Sequence, residues 1–374
     1  MINFIKAFSI LAGTIIGVGI FGLPYVAAKS GFFVVFFYFL IMAFLAIFIH
    51  FLYGRVTLGD NKLRRFPGYV GEYLGAGWKK ITFFTTNFGL MGALLAYLIV
   101  GGEFLKLYFS PYFGGSSVVY TLIFFSLGGV LVFFGIKSIS KVELFFLFLF
   151  VFLLIVFFIK AAPAINLDYF KNIDWKFLTF PYGVVIFSLW GSALIPEVKE
   201  IVKGNGRTLN LVIISSIIFS AIVYLFFIIT ILGVSGPDTS KEALAGFSRT
   251  IGGGVIKLGF IFGFITTFTS FITLALTLKK TFWYDFGLSK NSSWFISCFT
   301  PLFLFFIGLR EFITIIGFVG ALMIGLEAII TVFLYRSFLA QKYSQKINPF
   351  FYSFVGIFVL GIIFEGFYLL LRST

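Results

Sequence analysis

Residues 13–32 read GTIIGVGIFGLPYVAAKSGF, which puts Gly13, Gly17, Gly19, Gly22 and then Pro24 into the first apolar run of the chain. A spanning helix would be stiffer without them, since an interior glycine costs about 1 kcal/mol and a proline about 3 kcal/mol relative to alanine. Two readings account for them. In hydrocarbon every freed N–H and C=O has to be satisfied, so a helix broken at these glycines persists only where it lines a polar site enclosed by protein. Alternatively the glycines let neighbouring helices approach closely, and Gly13 and Gly17 have the small-xxx-small spacing of such contacts.

Composition decides the solvent. Of 374 residues, 60% are hydrophobic and 11% charged, more apolar surface than one water-soluble core hides, so the chain belongs in a membrane. Apolar runs near the ~20 residues that cross ~30 Å of hydrocarbon recur eleven times. They lie at about 8–28, 32–54, 81–107, 117–136, 142–161, 179–199, 209–233, 251–278, 292–308, 311–335 and 348–371. A signal peptide is the alternative for the first, because Lys6 precedes it and VAAKS offers small residues for cleavage. A cleavable apolar region is normally shorter and free of such glycines.

Lys and Arg on alternate sides of these spans fall 18 to 9, with Lys257 inside a span, in favour of the side holding the N-terminus. That bias predicts a multi-pass protein of the cell membrane with its N-terminus cytoplasmic and its C-terminus extracellular. The net charge of +14 then reflects basic loops meeting anionic headgroups, and nucleic acid is not needed to explain it. The one cysteine, Cys298, lies in an apolar span, which excludes an intrachain disulfide and a thiolate metal cluster. His50, the lone histidine, is expected as an interfacial residue near the inner end of the second span.

Gly17-Val18-Gly19 falls at the centre of the first span, near the bilayer midplane. A break there exposes amides around Gly19, Ile20 and Phe21, whose positive dipole end suits a carboxylate. The sixth span, TFPYGVVIFSLWGSALIPEVK (179–199), repeats the spacing: Gly191 to Pro196 matches Gly19 to Pro24, each reading Gly, four residues, Pro. The two spans run in opposite directions five spans apart, so matching breaks point to inverted repeats of five helices. Carbonyls freed at Phe187, Ser188 and Leu189 then face a cation or ammonium group while the first-span amides face an anion. A substrate carrying both charges close together is an α-amino acid.

The first stretch resembles the first-helix signature of amino acid permeases in the amino acid-polyamine-organocation superfamily. FSLWGSALIPEVKEIVKGNGRTLN (187–210) resembles helix 6 and the following loop in the amino acid/auxin and aromatic amino acid permease branch, and RRFPGYVGEYLGAGWKK (64–80) the cytoplasmic loop after helix 2. The resemblance implies an all-α integral membrane protein of eleven transmembrane helices working by alternating access. Its plan is a five-plus-five inverted repeat with broken helices 1 and 6, plus one C-terminal helix. The chain is then one transporter domain, with a first repeat at 8–161, a second at 179–335 and the extra helix at 348–371. By the same resemblance Gly17, Val18, Gly19 and Ile20 form the carboxylate-binding break, while Phe187, Ser188 and Trp190 hold the ammonium group and gate the pocket. Tyr97, on the third span, is placed near them, and Gly19→Leu is expected to fill the carboxylate niche in a folded protein.

Two coupling ions compete. In the eighth span ITTFTSF puts Thr266, Thr269 and Ser270 at i, i+3 and i+4 on one face. The resemblance implies a sodium ion, the one cofactor expected, between the carbonyls of Gly13 and Ile16 and the hydroxyls of Thr269 and Ser270. Hydroxyls in a spanning helix also bond back to their own i−4 carbonyls or join helices, needing no ion. For a proton the candidate is Glu327, the deepest carboxylate, about two-thirds along the tenth span. Glu103 and Glu365 are expected to be solvated near outer ends, with Glu103 pairing with Lys106 one turn on. Some proton-coupled relatives place a lysine on helix 5 where sodium sits, and here that helix has only Lys141 and Lys160, at its ends.

The 59 phenylalanines spread over all spans, so their number says nothing about an aromatic substrate. An enzyme has little to build on, with one histidine and no carboxylate pair in the spans. A channel predicts a filter loop or ring of charges, neither of which is evident. An amino-acid-gated channel or a transporter-like sensor is the alternative to the reading reached here, a secondary transporter importing an amino acid. Its partners are that small molecule and the lipid bilayer.

Overall fold

The computed structural model describes residues 2–60, 62, 64–135, 140–251 and 254–373. Lys137, counted above for topology, lies outside this set, as do the side chains of Lys141, Arg249 and Arg372. Among the described residues every element is helical. The first half opens with α1 (Ile2–Ile15) and α2 (Gly19–Ser30), bent by 51° across the break. It continues with α3 (Phe32–Gly59), α4 (Phe66–Leu74), α5 (Ala76–Phe113), α6 (Ser117–Phe134) and α7 (Ser140–Ala161).

The second half again opens with a broken helix, α8 (Pro181–Leu189), a 3-10 turn at Ser192–Leu194 and α9 (Ile195–Ile201). There follow α10 (Gly206–Ser235), α11 (Leu244–Ile251), α12 (Gly254–Lys280) and α13 (Lys290–Phe306). A π-helical segment, Val319–Ile324, joins α14 (Phe312–Phe318) to α15 (Gly325–Tyr343), and α16 (Phe351–Ser373) closes the chain. Each half thus opens with a broken helix, and a final helix follows the second.

Among the described residues seven helices are long and apolar enough to cross a membrane, and the bent pair α1 and α2 makes an eighth. The other three of the eleven expected spans are shorter pieces there: the sixth is α8 and α9 of 9 and 7 residues, the ninth α13 of 17, and the eleventh the stretch Phe351–Phe367 of α16. A broken helix seated among others satisfies its backbone through them and has no need of length. The lipid-facing side is legible on α3, where Phe37, Leu40, Ile41 and Phe44 are exposed while Val35, Phe39, Met42 and Ala46 are buried. Close approach of α8 to the π-segment depends on glycine: a Cβ on Gly183 would strike the Gly317 backbone, and one on Gly320 that of Gly183.

Contacts identify two faces. On one, Arg65 pairs with Glu197 at 3.1 Å, the Lys199 ammonium donates to the Asp60 carbonyl at 2.8 Å and Arg55 to the Tyr335 hydroxyl at 3.0 Å. The ends of α3, α9 and α15 and the start of α4 therefore meet there. Burial pushes the Tyr69 phenol, on α4, up to about 12, and it stays a donor to the Lys62 carbonyl. On the other face the Asp174 N–H bonds the Ser30 carbonyl at 3.3 Å, and Lys241 pairs with Glu311 at 2.6 Å. Glu103 pairs with Lys106 at 3.0 Å as expected, and accepts from Ser117 as well. Since α2 ends at this second face, α1 begins at the first.

Candidate functional site

The first break occupies Ile16–Val18. There the Gly17 N–H turns back to the Ile15 carbonyl at 2.8 Å and the Ile20 N–H reaches only Gly17 at 3.4 Å. The i+4 donors to the Gly13 and Ile16 carbonyls are both diverted, which frees the two oxygens named for a cation. On the amide side Val18 N–H donates to the Tyr97 hydroxyl at 3.2 Å and Phe21 N–H to the Val18 carbonyl at 3.2 Å, so of these amides Gly19 alone has no acceptor. Two glycines make the fit: a Cβ on Gly17 would strike the Tyr97 hydroxyl, and one on Gly19 would lie 3.1 Å from Ser188 Cα.

The second break begins at Trp190, which is extended, and Gly191. Its carbonyls are less free than the sequence suggested: Phe187 accepts from the Trp190 N–H at 3.4 Å, and the Tyr224 hydroxyl lies 2.9 Å from the Ser188 carbonyl. The same hydroxyl lies 2.5 Å from the Ile15 carbonyl, so one side chain of α10 touches both breaks. His50 is not interfacial. It is fully buried, with Nδ1 2.6 Å from the Ala46 carbonyl and Nε2 3.1 Å from the Gly191 amide. An amide only donates, so Nε2 is the acceptor and Nδ1 carries the proton to Ala46.

Glu327 lies three residues beyond the end of the π-segment, a feature often found at functional sites. Its Oε1 accepts from the Trp190 indole at 3.1 Å and from the Ser192 hydroxyl, joining α15 to the second break. The Trp190 ring also stands edge-on to His50, 4.9 Å between centroids. Glu365, expected in solvent, is 7% exposed and packs its carboxylate against Gly317, where the missing side chain leaves room.

Both breaks border one cavity of about 120 Å³. Of the expected residues Gly17, Val18, Gly19, Phe187, Ser188, Trp190, Tyr97 and Glu327 line it, whereas Ile20 is fully buried and does not. On the second-face side of the first break Phe21 meets Phe104 at 4.7 Å and Phe227 at 6.1 Å. Towards the first face the lining continues to Thr85, Thr86, Ser192 and Ala193.

A smaller cavity of about 40 Å³ adjoins it, lined by Gly13, Ile16, Tyr97, Thr266, Thr269 and Ser270 among others. All five residues named for sodium therefore meet at one place. The α12 hydroxyls divide there. Thr267 and Thr273 bond back to their i−4 carbonyls at 2.7 and 3.0 Å, while the Thr266 hydroxyl is buried with no partner. Tyr97 lines both cavities and so connects them. His50, Tyr224 and Thr86 were not marked by the sequence as parts of the site. A lone histidine within an apolar run was the available signal for His50; Tyr224, in IVYLFF, had none.

A multi-pass helical bundle with a polar centre built from two broken helices defines a membrane transporter. The chain belongs to the tryptophan/tyrosine permease family, whose model matches residues 2–371. It is thus a transporter of amino acids rather than an enzyme. No curated protein matches it in sequence. Among solved structures it is similar to MhsT in complex with L-phenylalanine, at 17% identity over 98% of each chain and a TM-score of 0.69. It is also similar to the inward-facing conformation of Mhp1, at 14% identity over 96% of this chain and 88% of that one, TM-score 0.67. A manganese transporter of Eremococcus coleocola is 11% identical over 97% of this chain and 85% of its own, TM-score 0.66. These likenesses establish the fold.

Proposed function

We propose that this permease is a secondary active transporter that carries an aromatic amino acid across the cell membrane by alternating access, as one domain with repeats at 8–161 and 179–335. Its branch is that of the amino acid/auxin and aromatic amino acid permeases. The observation that carries the reading is the cavity that both breaks line, with phenylalanines packed beyond the first break on one side and the lining extended to Thr85 and Thr86 on the other. Gly17, Val18 and Gly19 take the carboxylate, with the Gly19 amide the available donor, and Phe187, Ser188 and Trp190 enclose the amino group. The N-terminus is cytoplasmic and the C-terminus extracellular, so the cavity extends towards the cytoplasm.

Sodium is the coupling ion on this reading, travelling as cargo. The freed carbonyls of Gly13 and Ile16, the unpartnered Thr266 hydroxyl and those of Thr269 and Ser270 supply hard oxygen at one small cavity. A proton bound at Glu327 is the second reading, favoured by the bonds from Trp190 and Ser192 that would register its charge. Uptake of radiolabelled tryptophan, tyrosine and phenylalanine into proteoliposomes under an inward sodium gradient, an inward proton gradient or neither tests both. Sodium-driven accumulation that falls about tenfold or more in Thr269→Ala with Ser270→Ala is the expected result. Accumulation driven by protons alone assigns coupling to Glu327, and absence of uptake under every gradient overturns the transport reading.

A further inference from the structure

The cavity does not end at the breaks. Along α5 it passes Gly89 to reach Thr85 and Thr86, and on the facing helix it passes Met323 to reach Glu327. A Cβ on Gly92 would press on Val319, and one on Gly89 would lie 3.3 Å from Met323 Cβ, so the two helices run antiparallel in this register. One further turn on each brings Thr85 and Thr86 level with Glu327. Ser192 and Trp190 line the cavity beside them.

The chemistry of this level is one-sided. Both donors to Glu327, the Trp190 indole and the Ser192 hydroxyl, engage Oε1, which leaves Oε2 without a donor on a side chain that lines the cavity. The Thr85 hydroxyl is committed to the Thr82 carbonyl at 3.1 Å, while the Thr86 hydroxyl is buried with no partner. Among the described residues no Lys, Arg or His lines the cavity to balance the carboxylate. A carboxylate turned into an enclosed space is costly unless a cation or donor meets it. A bare alkali ion would want more oxygens than Glu327 and Thr86 provide. An ammonium group needs few acceptors and arrives on a carbon stem, for which Leu90, Met323 and the Trp190 ring offer an apolar wall.

We propose that Glu327 and Thr86 form a second subsite, on the first-face side of the helix breaks, that takes the ammonium group of the amino acid in transit. The proposal rests on the transporter reading above. Thr86 lies eleven residues before Tyr97 on α5, about 16 Å of rise, and Tyr97 is the residue that reaches the first break. Carboxylate and ammonium are neighbours in an α-amino acid, so on that rise the Tyr97 end and the Thr86 end of the cavity are successive positions.

Two probes separate the charges: tryptamine has the indole and the ammonium, and 3-indolepropionate has the indole and a carboxylate. Their equilibrium binding to the purified transporter is measured alongside L-tryptophan, in the wild type, Glu327→Gln and Thr86→Val. Wild type is expected to bind tryptamine. Glu327→Gln, which preserves shape and an acceptor for Trp190 and Ser192, is expected to weaken tryptamine by about tenfold or more while leaving 3-indolepropionate unchanged or tighter. Thr86→Val, free of any change in charge, should weaken tryptamine about threefold, the scale of one lost hydrogen bond. Equal weakening of both probes in Glu327→Gln would mean a structural role and overturn the subsite, as would unchanged tryptamine binding or none in the wild type. If tryptamine binding depends on Glu327 but L-tryptophan never binds, the subsite stands and the amino acid reading fails.

Discussion

The two broken helices share a spacing and differ in what holds them open. The first break spans three residues and is met by neutral hydroxyls, Tyr97 at the Val18 amide and Tyr224 at the Ile15 carbonyl. The second is longer, running through a 3-10 turn, and is held by an imidazole and a carboxylate, His50 at the Gly191 amide and Glu327 at Trp190 and Ser192. Neutral partners leave the dipole at the start of α2 to set the local field, whereas a carboxylate beside the second break makes that wall acidic. One cavity thus has walls leaning to opposite signs, an arrangement better suited to a zwitterion than to an ion of either charge.

The contact between the breaks is tightest at Gly19, and the largest effect is expected there. A leucine needs α2 and α8 to part, because even the Cβ lies 3.1 Å from Ser188 Cα, which is main chain. Overpacking of this kind costs about 1–3 kcal/mol and sometimes more. Gly19→Leu should therefore lose uptake and also lower the thermal unfolding midpoint. A variant with wild-type unfolding and no substrate binding would instead mean that the side chain had entered an open carboxylate niche, and the first break would be the looser of the two.

His50 carries the next effect, confined to the second break. His50→Leu leaves the buried Gly191 N–H without an acceptor, a penalty of about 1–3 kcal/mol, and frees Trp190 to turn away from the cavity. The KM for substrate should rise about tenfold, the kinetic expression of a penalty near the lower end of that range. His50→Gln restores an acceptor at similar reach and should recover most of the loss. Equal defects in the two variants would show that ring packing on Trp190, rather than the hydrogen bond, is what the second break requires.

Legibility followed the range of the interaction. Glycine, proline and their spacing are local backbone properties, so both breaks could be located from Gly17–Gly19 and Gly191 with Pro24 and Pro196. Helical periodicity likewise put Thr266, Thr269 and Ser270 on one face, and they do share a cavity with Gly13 and Ile16. What fills a break comes from another helix. His50 is 141 residues from Gly191, and Glu327 is 137 from Trp190. Glu365 was misjudged for the same reason: its place near the end of an apolar run suggests water, but α16 lays it on a glycine of the neighbouring helix. The Phe187 and Ser188 carbonyls, free on local grounds, are taken up by a twisted-back amide and by Tyr224.

Tyr224→Phe is expected to have the smallest effect and to bear on both breaks at once. Its hydroxyl lies 2.5 Å from the Ile15 carbonyl and 2.9 Å from that of Ser188, and one proton serves the two. Removing it costs about 0.5–1.5 kcal/mol on the scale of a single hydrogen bond, with no cavity large enough to matter. If the breaks are joined through this atom, the KM for substrate and, on the sodium reading proposed above, the half-saturating sodium concentration should rise together, each by a few fold, because Ile15 adjoins the freed Ile16 carbonyl and Ser188 faces Gly19. A rise in one alone would mean that the breaks respond independently, and that the tyrosine supports a single helix while merely lying near the other.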